Sequence, residues 1–98
     1  MSTPPLCIAG ELTIYRALEL KPQIMDEVTQ RSRPCIDLSG VEEVDTAGVQ
    51  LLLLAQREAL ARGVELQLLS PSAPVCDALA LLWLSPRLEA PLVSGVDA

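Results

Sequence analysis

The spacing of apolar residues changes several times along the chain, and each change marks a boundary between elements. Residues 6–9 form a short apolar run ended by Gly10, which predicts a first strand. Thr13 then reads as the cap of a helical stretch to about Gln30, with Ile14, Leu18, Ile24, Met25 and Val28 as its apolar positions. Pro22 falls inside it. Proline removes a backbone donor and clashes with the preceding turn, so this helix is predicted to kink or to start late. Pro34 leads into a second strand at 35–38, and 41–44 runs on into Asp45-Thr46-Ala47-Gly48. A helix is predicted from there to Arg62, with Gly63 just past its end, where a left-handed residue is usual. At about 100° per residue, Val49, Leu52, Leu53, Ala59 and Leu60 share the face assigned to the sheet, while Gln50, Arg57 and Glu58 look away. A third strand follows at 64–69. Ser72 reads as the N-cap of a last helix reaching about Leu84, which Pro86 stops. Residues 88–93 are predicted to form a short edge strand before a frayed tail.

Strands alternating with long helices need crossovers, and crossovers imply parallel neighbours. With no internal repeat, low-complexity tract or linker, the 98 residues read as a single domain with its core between about 6 and 93. The expected fold is α/β, a mixed sheet of about four strands covered by three to four helices.

Composition narrows the function. Half the residues are apolar, and Tyr15 and Trp83 are the only aromatics, so there is little platform for stacking bases or sugars. Seven basic residues face thirteen acidic ones, a net charge of −6. Nucleic acid and direct membrane contact are therefore not expected, since phosphate affinity comes mainly from Lys and Arg. A basic protein partner is compatible with that charge. The longest apolar runs, 51–55 and 78–84, fall far short of the roughly 20 residues of a membrane span. Cys7, Cys35 and Cys76 are odd in number and form no C-x-x-C pair. Met1 leads directly into Ser-Thr-Pro-Pro. The expectation is a cytoplasmic chain with reduced, mostly buried thiols.

Histidine is absent, which removes Ser-His-Asp and Cys-His catalysis and nearly all zinc sites. Neither common glycine-rich phosphate loop is present. The carboxylate pairs Asp26-Glu27 and Glu42-Glu43 read as solvated faces rather than acid–base machinery. No enzyme, metal or cofactor is expected.

One segment carries chemistry. Val44-Asp45-Thr46-Ala47-Gly48 puts a hydroxyl at a helix start, which admits two readings. Asp or Thr there is ordinary capping, worth about 1 kcal/mol. Alternatively, Thr46 accepts a phosphoryl group, because unpaired N–H donors and the positive end of the helix dipole tolerate added negative charge. Glu42, Glu43 and Asp45 would repel that charge, as suits a switch that breaks a docked surface.

The run from Cys35-Ile36-Asp37-Leu38-Ser39 through Asp45-Thr46-Ala47-Gly48 to the aliphatic helix is similar to the signature of STAS domains. Gly10-Glu11-Leu12-Thr13 resembles that family's G-E-L-[DT] loop, and Leu68-Leu69-Ser70-Pro71 its third strand leading to the next helix. The likeness spans about residues 6 to 84. It implies a non-enzymatic protein-interaction switch of the anti-sigma factor antagonist type. Its implied partner is a GHKL-type serine/threonine kinase that is itself an anti-sigma factor, and its implied phosphoacceptor is Thr46. The docking surface so implied comprises Glu11, Leu12, Thr13, Asp45, Ala47 and Gly48. Helical geometry puts Leu54 off the core stripe near Gln50 and Arg57, where it reads either as a lone exposed leucine or, if it adjoins the Thr46 end, as an apolar partner contact with Gln50 beside it.

Some features depart from the family pattern. The usual acceptor is Ser, the first strand is expected to be shortened or missing, and the usual C-terminal helix has no room after Val93. Glu11-Leu12-Thr13-Ile14-Tyr15 looks like variants found with chemotaxis genes. Short STAS proteins with a D-T-[AG]-G turn also resemble the small partner of a phospholipid-transport ABC ATPase. In that alternative, Thr46 contacts the ATPase without being phosphorylated.

Overall fold

The computed structural model describes residues 4–83. Strand β1 (Leu6–Leu12) leads through a 3-10 turn at Ile14–Arg16 into helix α1 (Ala17–Gln30). Strand β2 (Cys35–Val44), helix α2 (Thr46–Ala61), strand β3 (Gln67–Leu69) and helix α3 (Ala73–Trp83) follow. The three strands form one sheet in the order β1-β2-β3, with both pairs parallel. Among the described residues the sheet is thus wholly parallel and three-stranded, rather than mixed with about four strands. The proposed edge strand at 88–93 lies outside the described residues.

β1 continues past Gly10 because its alternation continues: Ile8 and Leu12 are buried, with Cys7, Ala9 and Glu11 outside. Gly10 takes a φ of 80°, a conformation costly to any residue with a Cβ. There the register against β2 shifts, from Gly10↔Val41 to Glu11↔Glu43. An earlier shift separates Cys7↔Asp37 from Ala9↔Gly40. At both places β2 takes one residue more than β1, as in a bulge. The extra residue between Asp37 and Gly40 explains why the buried positions of β2 move from Ile36 and Leu38 to Val41. The expected strand at 64–69 is shorter because the amide of Val64 still donates to the Ala59 carbonyl at 2.9 Å, tying the exit of α2 down before pairing begins.

α1 begins before Pro22 and runs through it. Leu18, whose carbonyl Pro22 cannot serve, is exposed, as is Pro22, so water is available there. The buried stripe of α1 is Leu20, Ile24, Glu27 and Val28, which corrects the expected one: Ile14 and Leu18 face solvent. Glu27 is likewise no solvated charge. One carboxylate oxygen accepts the Cys35 amide at 2.9 Å, and the other lies 3.4 Å from Nε of Arg31. This joins α1 to the start of β2.

α2 buries Val49, Leu51, Leu52, Ala55, Gln56 and Ala59. That arc centres near Leu52, Ala55 and Ala59, so Leu53 is only half-buried and Leu60 is exposed, against expectation. Gly63 ends the helix with a φ of 77°. Ser72 precedes α3 but does not cap it with its side chain: the hydroxyl is buried without a hydrogen-bond partner. Its carbonyl instead accepts the Cys76 amide at 2.8 Å. The thiols also differ from expectation, since Cys7 and Cys76 are exposed and Cys35 is half-buried. Among the described residues no helix is long and apolar enough to cross a membrane.

Candidate functional site

The site forms where the end of β1 meets the beginning of α2. Leu12 is fully buried, and its carbonyl accepts the Asp45 amide at 3.3 Å. Gly48, one turn into α2, sits against that same carbonyl; a Cβ at Gly48 would overlap the Leu12 backbone. Only a glycine lets the helix approach the strand this closely. Leu12 and Gly48 therefore hold the site from beneath. Neither residue reaches the surface, against the expectation that both belong to the docking surface.

Asp45 is the N-cap of α2. Its Oδ1 accepts the Gly48 amide at 2.9 Å, and its Oδ2 accepts the Ile14 amide at 3.0 Å. One carboxylate thus closes a helix and anchors the β1–α1 connection. The amides of Ile14 and Gly48 hold the Asp45 carboxyl below the usual carboxylate range, because they favour its ionised form.

The cap is therefore Asp45. Thr46 occupies the first helical position with its side chain exposed, and among the described residues its hydroxyl makes no hydrogen bond. A hydroxyl used for capping would face its own helix; this one faces solvent.

Thr13 does not cap the following turn either. It is buried, and its hydroxyl donates to Oε1 of Glu11 at 3.1 Å, so it fixes an exposed carboxylate. Arg16, which no motif in the sequence singles out, holds the loop together. Nη1 of Arg16 donates to the carbonyls of Ala9 and Glu11, while Nε and Nη2 engage Glu19. The only hint in the sequence was Glu19 three residues on, a spacing that pairs charges on a helix. Glu42 and Glu43 are exposed on the last part of β2.

The remaining site residues divide between two hollows. Thr46 and Asp45 border one of about 220 Å³ between α2 and α3, with Val44, Val49, Ala78 and Leu81. Ala47, Gln50 and Leu54 line another, of about 400 Å³, on the α1 side of α2. Leu54 is half-buried there rather than isolated in solvent.

A family model described as Mlab, STAS domain, matches residues 2–89. The chain belongs to the STAS domain family. Among solved structures, this STAS domain is similar to that of the anti-sigma factor antagonist SpoIIAA in its unphosphorylated form. The TM-score is 0.62 at 22% identity, covering 83% of this chain and 78% of that one. The likeness is one of fold. No curated protein matches.

Proposed function

We propose that the chain is a non-enzymatic regulatory STAS protein, like an anti-sigma factor antagonist. It binds a GHKL-type serine/threonine kinase or anti-sigma factor and is switched by phosphorylation at Thr46. The observation that carries the reading is the division of labour at the start of α2. Asp45 supplies the cap, so the Thr46 hydroxyl is exposed and unused by the fold. In the proposed step the γ-phosphoryl of ATP passes to Oγ1 of Thr46, ADP leaves, and the hydroxyl proton goes to a base on the kinase. The product is a dianion at a helix N-terminus, which the fold tolerates. Asp45, Glu42 and Glu43 make the same neighbourhood more negative still, and a partner surface built for the neutral hydroxyl is repelled.

The docking surface in this reading takes Glu11 and Asp45 together with the hollow between α2 and α3, where Val44, Ala78 and Leu81 offer apolar contact beside Thr46, while Ala47, Gln50 and Leu54 lie on the opposite flank of α2. Burial of such a patch with a polar group at its edge suits a separable protein complex. A cytoplasmic location and a place in a chemotaxis-linked cluster belong to the same proposal.

A second reading is favoured by the family model itself, whose description is Mlab. Here the chain is a constitutive small subunit of a phospholipid-transport ABC ATPase, and Thr46 touches the ATPase without modification. Affinity capture of the tagged chain with mass spectrometry separates the two. Recovery of a GHKL kinase, with phosphate on Thr46 after incubation with ATP, supports the switch. Recovery of an ABC ATPase with Thr46 always unmodified supports the subunit. Under the first reading Thr46→Asp abolishes kinase binding; unchanged affinity of a folded Thr46→Asp variant overturns it.

A further inference from the structure

The groove on the other flank of α2 has features that the Thr46 switch does not use. It lies between α1 and α2, with Ala17, Ala47 and Leu54 among its apolar lining and Lys21 and Arg57 on opposite sides. Thr46 is not part of it. Beside it the β1–α1 connection and the first turn of α1 expose Ile14, Tyr15 and Leu18 by 58%, 88% and 91%. Leu18 precedes Lys21 by three residues and so adjoins it on the helix surface. Large apolar side chains clustered around a groove mark a contact surface more often than scattered ones do.

The charge of this groove runs against that of the chain. The protein carries a net −6, yet the two charged side chains lining the groove are both basic. The ion pairs among the described residues, Arg16–Glu19 and Arg31–Glu27, involve neither of them. Unpaired cations flanking an apolar channel complement a segment with apolar residues along one face and carboxylates beside them. A cleft walled by two helices suits a third helix laid in it, its apolar positions recurring at i, i+3, i+4 and i+7. A second copy of this chain would bring its own six-fold negative excess, and repulsion between copies opposes it.

We infer that the α1–α2 groove docks an acidic amphipathic helix of a partner protein, at a surface separate from Thr46. Apolar contacts with Ala17, Ala47 and Leu54 in the groove, and with exposed Leu18 next to Lys21 on the α1 surface, supply the attraction, and Lys21 and Arg57 select for acidic flanks. The inference does not depend on phosphorylation, nor on which partner engages the hollow beside Thr46.

The test is an NMR titration of the full chain with a synthetic helical peptide bearing leucines along one face and glutamates flanking them. A twin peptide with lysines replacing the glutamates serves as the comparison. The acidic peptide is expected to shift the methyl signals of Leu54, Ala47 and Leu18. Exchanging both groove cations, in a Lys21→Glu, Arg57→Glu variant, weakens it by about tenfold or more. Because both residues are exposed, the variant's circular dichroism should match that of the parent. Leu18→Ser, at an exposed position, provides a second variant with weakened binding. Thr46→Val, which removes the hydroxyl without adding charge beside Ala47, leaves the peptide affinity within about twofold, which keeps this result distinct from failure of the switch. Absence of shifts, equal binding of the lysine twin, or shifts that appear on concentrating the protein alone would overturn the inference. So would loss of peptide binding in Thr46→Val.

Discussion

The Asp45 carboxylate accepts the amide proton of Ile14 across 31 positions of chain, at 3.0 Å. With its other oxygen on Gly48, this side chain makes the helix start and the preceding loop one unit, so the surface around Thr46 is fixed before any partner arrives. A preordered surface binds with less loss of conformational freedom. Asp45→Ala should free both amides. Hydrogen exchange at Ile14 and Gly48 is expected to accelerate together, and the thermal midpoint to fall by several degrees. Faster exchange at Gly48 alone would mean that the loop is held by something else.

Acid should loosen the same joint. The amides of Ile14 and Gly48 depress the folded-state pKa of Asp45, and the Ser39 amide does so for Asp37. A depressed carboxyl contributes stability above its unfolded pKa, near about 4, and loses it as pH falls through the lower folded value. Unfolding midpoints followed by circular dichroism should therefore drop as pH falls below about 4. In Asp45→Asn part of that slope should vanish. An identical pH profile in the variant would contradict the assignment.

Gly48→Ala tests the contact beneath the site. Its Cβ would overlap the backbone of Leu12, which cannot yield as a flexible side chain can. Urea unfolding should register a loss of about 3 kcal/mol or more. Gly63→Ala meets no neighbour and bears only the strain of its positive φ, about 1 kcal/mol.

Leu52 and Leu60 separate the two faces of α2. Leu52→Ala opens a cavity in the core and is expected to cost about 2–5 kcal/mol, whereas Leu60→Ala, at 56% exposure, changes stability by about 0.5 kcal/mol or less. Equal losses by chemical denaturation would return Leu60 to the core.

Thr46→Asp should leave the fold intact. The side chain is exposed at the first helical position, where negative charge meets the positive end of the dipole. Stability is expected to hold or to rise by up to about 1 kcal/mol, falling back as salt is added. A marked destabilisation would show that Asp45 and the introduced charge repel more strongly than the helix end attracts.

Much of this was open to inspection in one dimension. Helix and strand order follows from local spacing, and Gly63 ends α2 as its position suggested, because a chain reversal there needs a positive φ. Asp45-Thr46 at a helix start is likewise a local matter, as is the family likeness carried by those residues. Periodicity fixes the angles between side chains on a helix but not which arc a neighbour covers. Hence Leu18 and Leu60 look like core and are exposed, while Glu27 looks like surface and is buried.

The choice between Asp45 and Thr46 as cap also lay beyond the sequence, since either side chain can reach a helix amide. Asp45 has two acceptor oxygens, and the return of β1 brings Ile14 to the second while Gly48 takes the first. That long-range bond exists only once the sheet has formed. It commits the aspartate to the fold and leaves the threonine hydroxyl outside it.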